Sequence, residues 1–102
     1  MPTVYITAPP SAAPELAETL VEERLAACVN RFDCRSTFRW EGDIVREDEV
    51  ILLAKTTDDR YGDLEARVVD LHPYDVPCIE RFDEDVAFDP FDEWLHDCVE
   101  AN

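Results

Sequence analysis

The chain is poor in glycine, lysine and long apolar segments, and these shortages exclude several classes of function. With 2 glycines among 102 residues, it has no glycine-rich loop of the kind that holds nucleotide phosphates. It also lacks the G-x-S-x-G and H-E-x-x-H motifs, so we expect no enzymatic activity. No apolar run reaches the roughly 20 residues of a membrane span. The start, Met1-Pro2-Thr3, lacks the basic and apolar regions of a signal peptide, so we expect a cytoplasmic protein.

Acidic residues greatly outnumber basic ones. The sequence has 25 Asp and Glu against 9 Lys and Arg, a net charge of −16, and Lys55 is its single lysine. Such a surface repels nucleic-acid phosphates and anionic membranes, so neither is expected as a partner. An acidic surface almost without lysine is typical of extreme halophiles, whose molar salt screens the repulsion between like charges. The composition therefore predicts a halophilic origin, with an ordinary acidic mesophilic protein as the alternative.

The periodicity of apolar residues predicts a single domain, residues 1–102, with four strands and three helices. Strands are expected at 3–8, 28–41, 44–56 and 76–82, and helices after the first, third and fourth strands. The order βαββαβ plus a terminal helix predicts an α+β ferredoxin-like sandwich with the helices on one face of an antiparallel sheet. The predicted inner stripes of the three helices are Leu16, Leu20, Val21 and Leu25; Tyr61, Leu64, Val68 and Leu71; and Phe91, Trp94, Leu95 and Cys98.

Small polar residues mark the expected helix starts. Ser11 is predicted to cap the first helix, Thr57 or Asp58 the second, and Asp89 the third, where Pro90 follows at the first helical position. Gly42 is expected to form the turn between the second and third strands.

The third predicted strand is apolar on both faces. The run Val50-Ile51-Leu52-Leu53-Ala54 does not alternate, although an antiparallel sheet covered on one side should. The preceding strand, with Phe38 and Trp40, is also longer than a compact sandwich needs. Both features predict a homo-oligomer in which another subunit covers the second face of the sheet.

The most distinctive segment is His72-Pro73-Tyr74-Asp75-Val76-Pro77. Two prolines fix the backbone and exclude the preceding residues from the α region, so a helix must end here. The segment is either a rigid connection with a solvated histidine or a rigid corner that presents His72 as a ligand.

The four cysteines form no C-x-x-C pair, and a cytosolic location favours free thiols. Cys28 and Cys34 share a strand face but lie about 20 Å apart on an extended chain. Cys28 and Cys78 belong to opposite sheet edges, about 14 Å apart, so these two thiols can meet only across a subunit interface. His96 and Cys98 are two apart on a helix and cannot chelate one metal. Plain packing is the alternative role for each thiol.

Six segments spread over almost the whole chain are distinctive: Ile6-Thr7-Ala8-Pro9, Arg24-Leu25-Ala26-Ala27-Cys28-Val29-Asn30, Trp40-Glu41-Gly42-Asp43-Ile44, Glu49-Val50-Ile51-Leu52-Leu53-Ala54-Lys55-Thr56-Thr57, the His72 segment and Glu93-Trp94-Leu95. Together they resemble the CutA family, the divalent-cation tolerance proteins, almost from end to end. The resemblance implies the ferredoxin-like fold, a homotrimer, and a non-enzymatic role in tolerance of divalent cations such as copper. No cofactor is expected to be required.

The resemblance also implies a pocket between subunits. The matching positions in this sequence are His72, Tyr74, Trp40, Glu41, Lys55 and Trp94. For metal, we predict an intersubunit site in which the imidazole of His72 combines with Cys28, Cys34 or Cys78 of a neighbouring subunit, since imidazole and thiolate suit copper or zinc. Some members carry a cysteine and a second histidine where this sequence has Ile6 and Leu71.

Lys55 leads to an alternative function. At the end of the most apolar strand it is expected to pair with an acidic residue, with Glu41 as the candidate implied by family packing, or else to bind an anion. In the second case the protein would be a trimeric sensor or scaffold similar to PII signalling proteins, with an anionic metabolite bound in the intersubunit cleft.

Overall fold

The computed structural model describes residues 1–100 and has the predicted order of elements. These are β1 (Pro2–Ala8), α1 (Ala13–Glu22), β2 (Cys28–Trp40), β3 (Asp43–Lys55), α2 (Asp58–Leu71), β4 (Ile79–Asp83) and α3 (Asp89–Val99). The four strands form one antiparallel sheet in the order β2-β3-β1-β4. The α+β ferredoxin-like prediction with an added C-terminal helix is therefore confirmed. Among the described residues, no helix has the length and apolar character that crossing a membrane requires.

The main core lies between the sheet and helices α1 and α2. Alternate residues of β1, including Val4 and Ile6, point to this side and are fully buried, as is Leu52 of β3. Leu64 and Val68 of α2 pack on these strand residues from the helix side of the sheet. Helix α3 packs separately, at the end of the sheet where β1 and β2 begin, in a cluster formed by Ala27, Leu95 and Val99 with Met1, Phe91 and Cys98 around it.

The opposite side of the sheet carries no helix, and we call it the open face. The strand registers place the following residues on it: Thr3, Tyr5, Thr7, Cys28, Asn30, Phe32, Cys34, Ser36, Phe38, Trp40, Val45, Glu47, Glu49, Ile51, Leu53, Lys55, Glu80 and Phe82. Phe32 and Phe82 are about half exposed there, and Ile51 and Leu53 are only partly buried. The second face of β3 is thus apolar, as predicted, and it is uncovered in a single chain.

Strands β2 and β3 continue beyond the rest of the sheet as a two-stranded arm. The last residue pair of β1 with β3 is Ala8 with Val50, so residues 34–49 have no third strand beside them. At the tip, Glu41 and Gly42 both have positive φ values, 50° and 87°. Two such residues form the turn whose twist matches that of the flanking strands, which confirms Gly42 as the turn residue.

The predicted caps of α1 and α3 were wrong, and the prediction of Thr57 for α2 was right in position only. Helix α1 begins after Ala12, and the N–H groups of Ala12 and Ala13 bond to the carbonyl of Pro9 at 3.0 and 3.1 Å, so the chain turns without the Ser11 side chain. Asp89 is the first residue of α3 rather than its cap. Thr57 does occupy the cap position of α2, but its side chain makes no capping hydrogen bond.

The predicted apolar stripes of α1 and α3 were partly wrong. Helix α1 ends at Glu22, and Leu25 is buried from the following turn, where Arg24 has a φ of 59°. Val21 is 43% exposed and Trp94 46% exposed, because the apolar faces of α1 and α3 are narrower than predicted. Strand β4 begins at Ile79 instead of residue 76, since Pro77 has no N–H to donate to the ladder.

Candidate functional site

A groove of about 670 Å³ crosses the open face where the arm leaves the sheet. Its floor comes from β1 and β3, one wall from the arm with Phe38 and Trp40, and the other from the corner after α2 with Tyr74 and Cys78. All charged residues of the lining are acidic: Glu47, Glu49, Asp75 and Glu80. A groove of this composition favours cations over anions.

His72 is built into the fold at the back of this corner. The residue is 7% exposed, and both ring nitrogens make hydrogen bonds. The backbone N–H of Tyr74 donates to Nδ1 at 3.1 Å. The ring proton therefore resides on Nε2, which donates to the carbonyl of Thr7 at 2.8 Å. His72 thus ties the corner to the end of β1, and it could bind a metal only by giving up one of these hydrogen bonds.

Tyr74 and Glu49 form the polar centre of the groove. The Tyr74 hydroxyl lies 3.2 Å from Glu47 Oε2 and 3.3 Å from Glu49 Oε2, and its single proton serves both. Burial and the neighbouring carboxylates of Glu49 and Glu47 raise the pKa of Tyr74 to about 12. Glu49 is only 4% exposed, and no cationic side chain of the described residues lies within ion-pair distance of it.

Glu47 and Glu49 were not among the predicted site residues, although the sequence contained a signal for them. The same period of two that places Ile51 and Leu53 on the open face extends back to Glu49 and Glu47. These two carboxylates interrupt an otherwise apolar stretch of the sheet face, and the prolines of the following corner hold Tyr74 near them. This combination is the signal for a polar site.

The structure places the predicted pocket residues at two distant ends of one chain. Trp40 and Tyr74 line the groove, and Glu41 lies at the tip of the arm. Lys55 lies at the other end of β3, about 40 Å from the tip at ~3.3 Å per residue. Trp94 lies on α3, at the same end as Lys55, and stacks on Phe91 with ring centroids 5.7 Å apart. One chain therefore cannot pair Lys55 with Glu41, and a pocket that contains all of them needs a second copy.

Lys55 has a neutral partner within the chain. Its Nζ donates to the hydroxyl of Thr3 at 3.1 Å, and that hydroxyl donates to the carboxylate of Glu84. An acidic residue is thus reached only through Thr3, and it is Glu84 rather than the predicted Glu41; the ammonium stays on the open face.

The thiols of Cys28, Cys34 and Cys78 all belong to the open face or its groove, and the described cysteines are free. Burial raises the pKa of the Cys28 thiol, although Lys55 acts in the opposite direction, and burial also raises the pKa of the Cys78 thiol. Within residues 1–100 of one chain, no group of three or more His, Cys, Asp or Glu side chains could hold a metal ion. The mixed site of His72 and the thiols is therefore not formed within one described chain and stays a prediction about an assembly.

Comparison with known proteins agrees with the fold. Residues 2–98 match the family described as CutA1 divalent ion tolerance protein. The divalent-cation tolerance protein CutA of Pyrococcus horikoshii is 41% identical over 93 residues, which cover 90% of this chain and 91% of that protein. The solved structure of the periplasmic divalent cation tolerance protein CutA from Archaeoglobus fulgidus superposes with a TM-score of 0.94 at 35% identity, covering 98% of this chain and 100% of that one.

A further structural relative is the PII-like protein CutA from Nostoc sp. PCC 7120, with a TM-score of 0.94, 27% identity and 98% of each chain covered. The matches extend over strands, helices and the open face alike. The chain therefore belongs to the CutA1 family of divalent ion tolerance proteins.

Proposed function

We propose that this protein serves divalent-cation tolerance as a non-enzymatic homotrimer whose three open faces cover one another. The open face is the observation that supports the trimer. It exposes Phe32 and Phe82 and leaves Ile51 and Leu53 partly uncovered, in a chain that otherwise has a strongly charged surface. An exposed apolar patch of this kind on a sheet is stable in water when another subunit packs on it.

The trimer is tested by light scattering of the purified protein after gel filtration. The native chain is expected at three times its monomer mass of 11.7 kDa. Leu53→Asp places a charge on the open face and should yield monomers, because an unpaired carboxylate cannot be buried between subunits. Val69→Asp, on the exposed side of α2, is the matched control and should remain trimeric. A native protein that elutes as a folded monomer refutes the proposal.

We propose that the cation, copper being the first candidate, binds between subunits. One described chain has no cluster of three donors, whereas the open face carries three thiols and the groove four carboxylates. Assembly of open faces about a threefold axis brings copies of these groups near one another. Cys28, Cys34 and Cys78 supply the soft donors that copper prefers, and His72 is less available because both its nitrogens are engaged.

Calorimetric titration with copper tests this site. Replacing Cys28, Cys34 and Cys78 by serine should remove high-affinity binding from the trimer, whereas Cys98→Ser, in the α3 cluster away from the groove, should leave it unchanged. Because burial raises the pKa of Cys28 and Cys78, the metal must displace their protons, and binding should strengthen as the pH rises. Equal copper affinity in the triple variant and the native protein would exclude the thiols.

One observation favours a second candidate, a PII-like small-molecule sensor. Lys55 presents an ammonium on the open face with only the hydroxyl of Thr3 as its direct partner. In a trimer such an ammonium can face an anionic metabolite in the cleft between subunits. Titration with nucleotides distinguishes the candidates, since anion binding would be abolished by Lys55→Gln and would survive the loss of the thiols. Between the two candidates, the acidic lining of the groove favours the binding of a cation over that of an anion.

We also propose a cytoplasmic location. Free cysteines at four positions are typical of a reducing compartment. Cell fractionation with an antibody tests this, and recovery of the protein outside the cytoplasm would contradict it.

A further inference from the structure

The cationic side chains of the described chain fall into two groups. Those outside the arm and its base each make a side-chain hydrogen bond within the chain: Arg24, Lys55, Arg60, Arg67 and Arg81. The remaining four are Arg31, Arg35, Arg39 and Arg46, and none of them donates a hydrogen bond to the described residues. Within residues 1–100, the only ion pair of these arginines is a loose contact at 4.0 Å between Arg35 and Asp48, both almost fully exposed.

These four arginines share one side of the β2–β3 hairpin, which we call the arginine face. Arg31, Arg35 and Arg39 recur every four residues along β2, about 13 Å apart at ~3.3 Å per residue. Arg46 is opposite Thr37 and so lies on the same side, between Arg35 and Arg39. This side is the reverse of the open face, and along the arm no helix covers it. Ile44, opposite Arg39, adds an apolar side chain that is 53% exposed.

The arginine face is exceptional in the charge distribution of the molecule. Between residues 31 and 46 there are four arginines and three carboxylates, a net charge of +1, so the rest of the chain carries −17. Two copies therefore repel each other in most orientations. Attraction is available where the arginine face of one copy approaches a carboxylate-rich surface of another.

The segment from Asp83 to Asp97 is the matching surface. It contains seven Asp and Glu residues and no Lys or Arg. Four of them, Asp85, Asp89, Glu93 and Asp97, make no side-chain hydrogen bond or ion pair with the described residues. The segment also exposes Val86 and Phe88, at 85% and 76%, beside these charges. We call this the acidic segment.

We propose that the arginine face of one copy docks on the acidic segment of a second copy. The inference rests on the homotrimer proposed above and adds the contact that sets the order of the subunits. The two surfaces lie at opposite ends of the chain, since the arm projects from one end of the sheet and α3 packs at the other. Each copy can therefore engage a different neighbour through each surface. Such a head-to-tail contact, repeated three times, closes a ring.

Charge reversal followed by charge exchange tests the proposal. Arg35→Glu with Arg39→Glu sets acid against acid and should weaken trimer formation at least about tenfold at about 0.2 M KCl, with a smaller effect at about 2 M, where surface charges are screened. Adding Glu93→Arg and Asp97→Arg to the same chain gives the acidic segment two cations that can face the two new carboxylates, and it also restores the native net charge of −16. We expect this exchanged variant to associate within about threefold of the native protein. Association is measured by sedimentation equilibrium.

The matched control adds the same negative charge elsewhere. Ser11→Glu, Val21→Glu, Ala66→Glu and Val69→Glu are exposed positions on the helix side of the molecule, away from the proposed contact. This control should lose clearly less association than the reversed variant. Circular dichroism verifies folding, and Arg35→Gln with Arg39→Gln is a milder variant for the case in which reversal prevents folding.

The outcomes separate this inference from the trimer itself. A trimer that is equally strong in the native, reversed and neutral variants overturns the docking contact and leaves the homotrimer in place. A control that loses as much association as the reversed variant also overturns it, since net repulsion would then explain the loss. A monomeric native protein overturns both proposals.

Discussion

Replacing His72 by alanine distinguishes a structural role of this residue from a role as metal ligand. In the structure the residue is 7% exposed, and its ring donates to the carbonyl of Thr7 at 2.8 Å and accepts from the N–H of Tyr74 at 3.1 Å. Its centroid lies 4.9 Å from that of the Tyr74 ring, at an angle of 56°. The substitution therefore leaves a carbonyl and an N–H without partners and removes an aromatic contact.

The expected loss follows from these three contacts. Each hydrogen bond contributes about 1 kcal/mol net, and the aromatic pair adds about 1 kcal/mol. We expect the free energy of unfolding of His72→Ala to fall by about 3 kcal/mol. With a urea dependence of roughly 1–3 kcal/mol per molar for small proteins, the unfolding midpoint should fall by about 1–3 M.

The assay is urea unfolding followed by circular dichroism, with salt and protein concentration held constant because assembly contributes to stability. His96→Ala is the control that the chain provides: His96 is solvent-exposed, and its ring nitrogen contacts only the carbonyl and carboxylate of Asp92 on its own helix. Its substitution should change the free energy of unfolding by less than about 1 kcal/mol. Copper stoichiometry of the folded His72→Ala trimer should equal that of the native protein. An unchanged midpoint, or a folded variant that has lost its copper, would refute the structural assignment of His72.

Three further predictions concern salt, packing and the groove. Thermal stability should rise steeply from dilute buffer to molar KCl, because the salt screens a net charge of −16. A melting temperature that calorimetry finds constant over this range would contradict the halophilic interpretation. Leu52→Asp should prevent folding because Leu52 is fully buried beneath the helices, whereas Leu53→Asp should give folded monomers. Circular dichroism measures folding and light scattering measures mass; a folded Leu52→Asp variant together with an unfolded Leu53→Asp variant would contradict the assignment of the two faces. Absorbance at alkaline pH should show Tyr74 ionising at about 12, and Tyr74→Phe should remove that step. Since this pKa is raised above the ordinary value of about 10, the stabilisation from the protonated hydroxyl is complete below pH ~10 and is lost as the pH rises towards 12.

The sequence predicted the elements and their faces because those depend on local periodicity. The alternation from Cys28 to Trp40 and the turn at Gly42 follow from period-two patterning and turn chemistry, which neighbouring residues decide, whereas Glu41, predicted as the end of the strand, belongs to the turn as well. The family resemblance rested on the same segments, and the comparisons confirm it.

Helix starts were less predictable because several groups compete for the free N–H groups. Ser11 has the side chain of a good cap, yet the carbonyl of Pro9 accepts both N–H groups at the start of α1. Which acceptor is used depends on how the chain leaves β1, and that direction is fixed by the packing of α1 on the sheet.

The candidate site depended even more on tertiary structure. The sequence alone determined that a rigid corner follows α2, that the second face of β3 is apolar and that Cys28 and Cys78 occupy opposite edges of a sheet; the structure confirms each of these. Only the tertiary structure decided that both nitrogens of His72 serve the fold, that Tyr74 joins Glu47 and Glu49, and that Lys55 lies far from Glu41. The physical reason is that strand and helix patterns arise from neighbours in sequence. Hydrogen-bond partners across the sheet lie some 25 to 65 residues apart in the chain, and only the packed fold selects them.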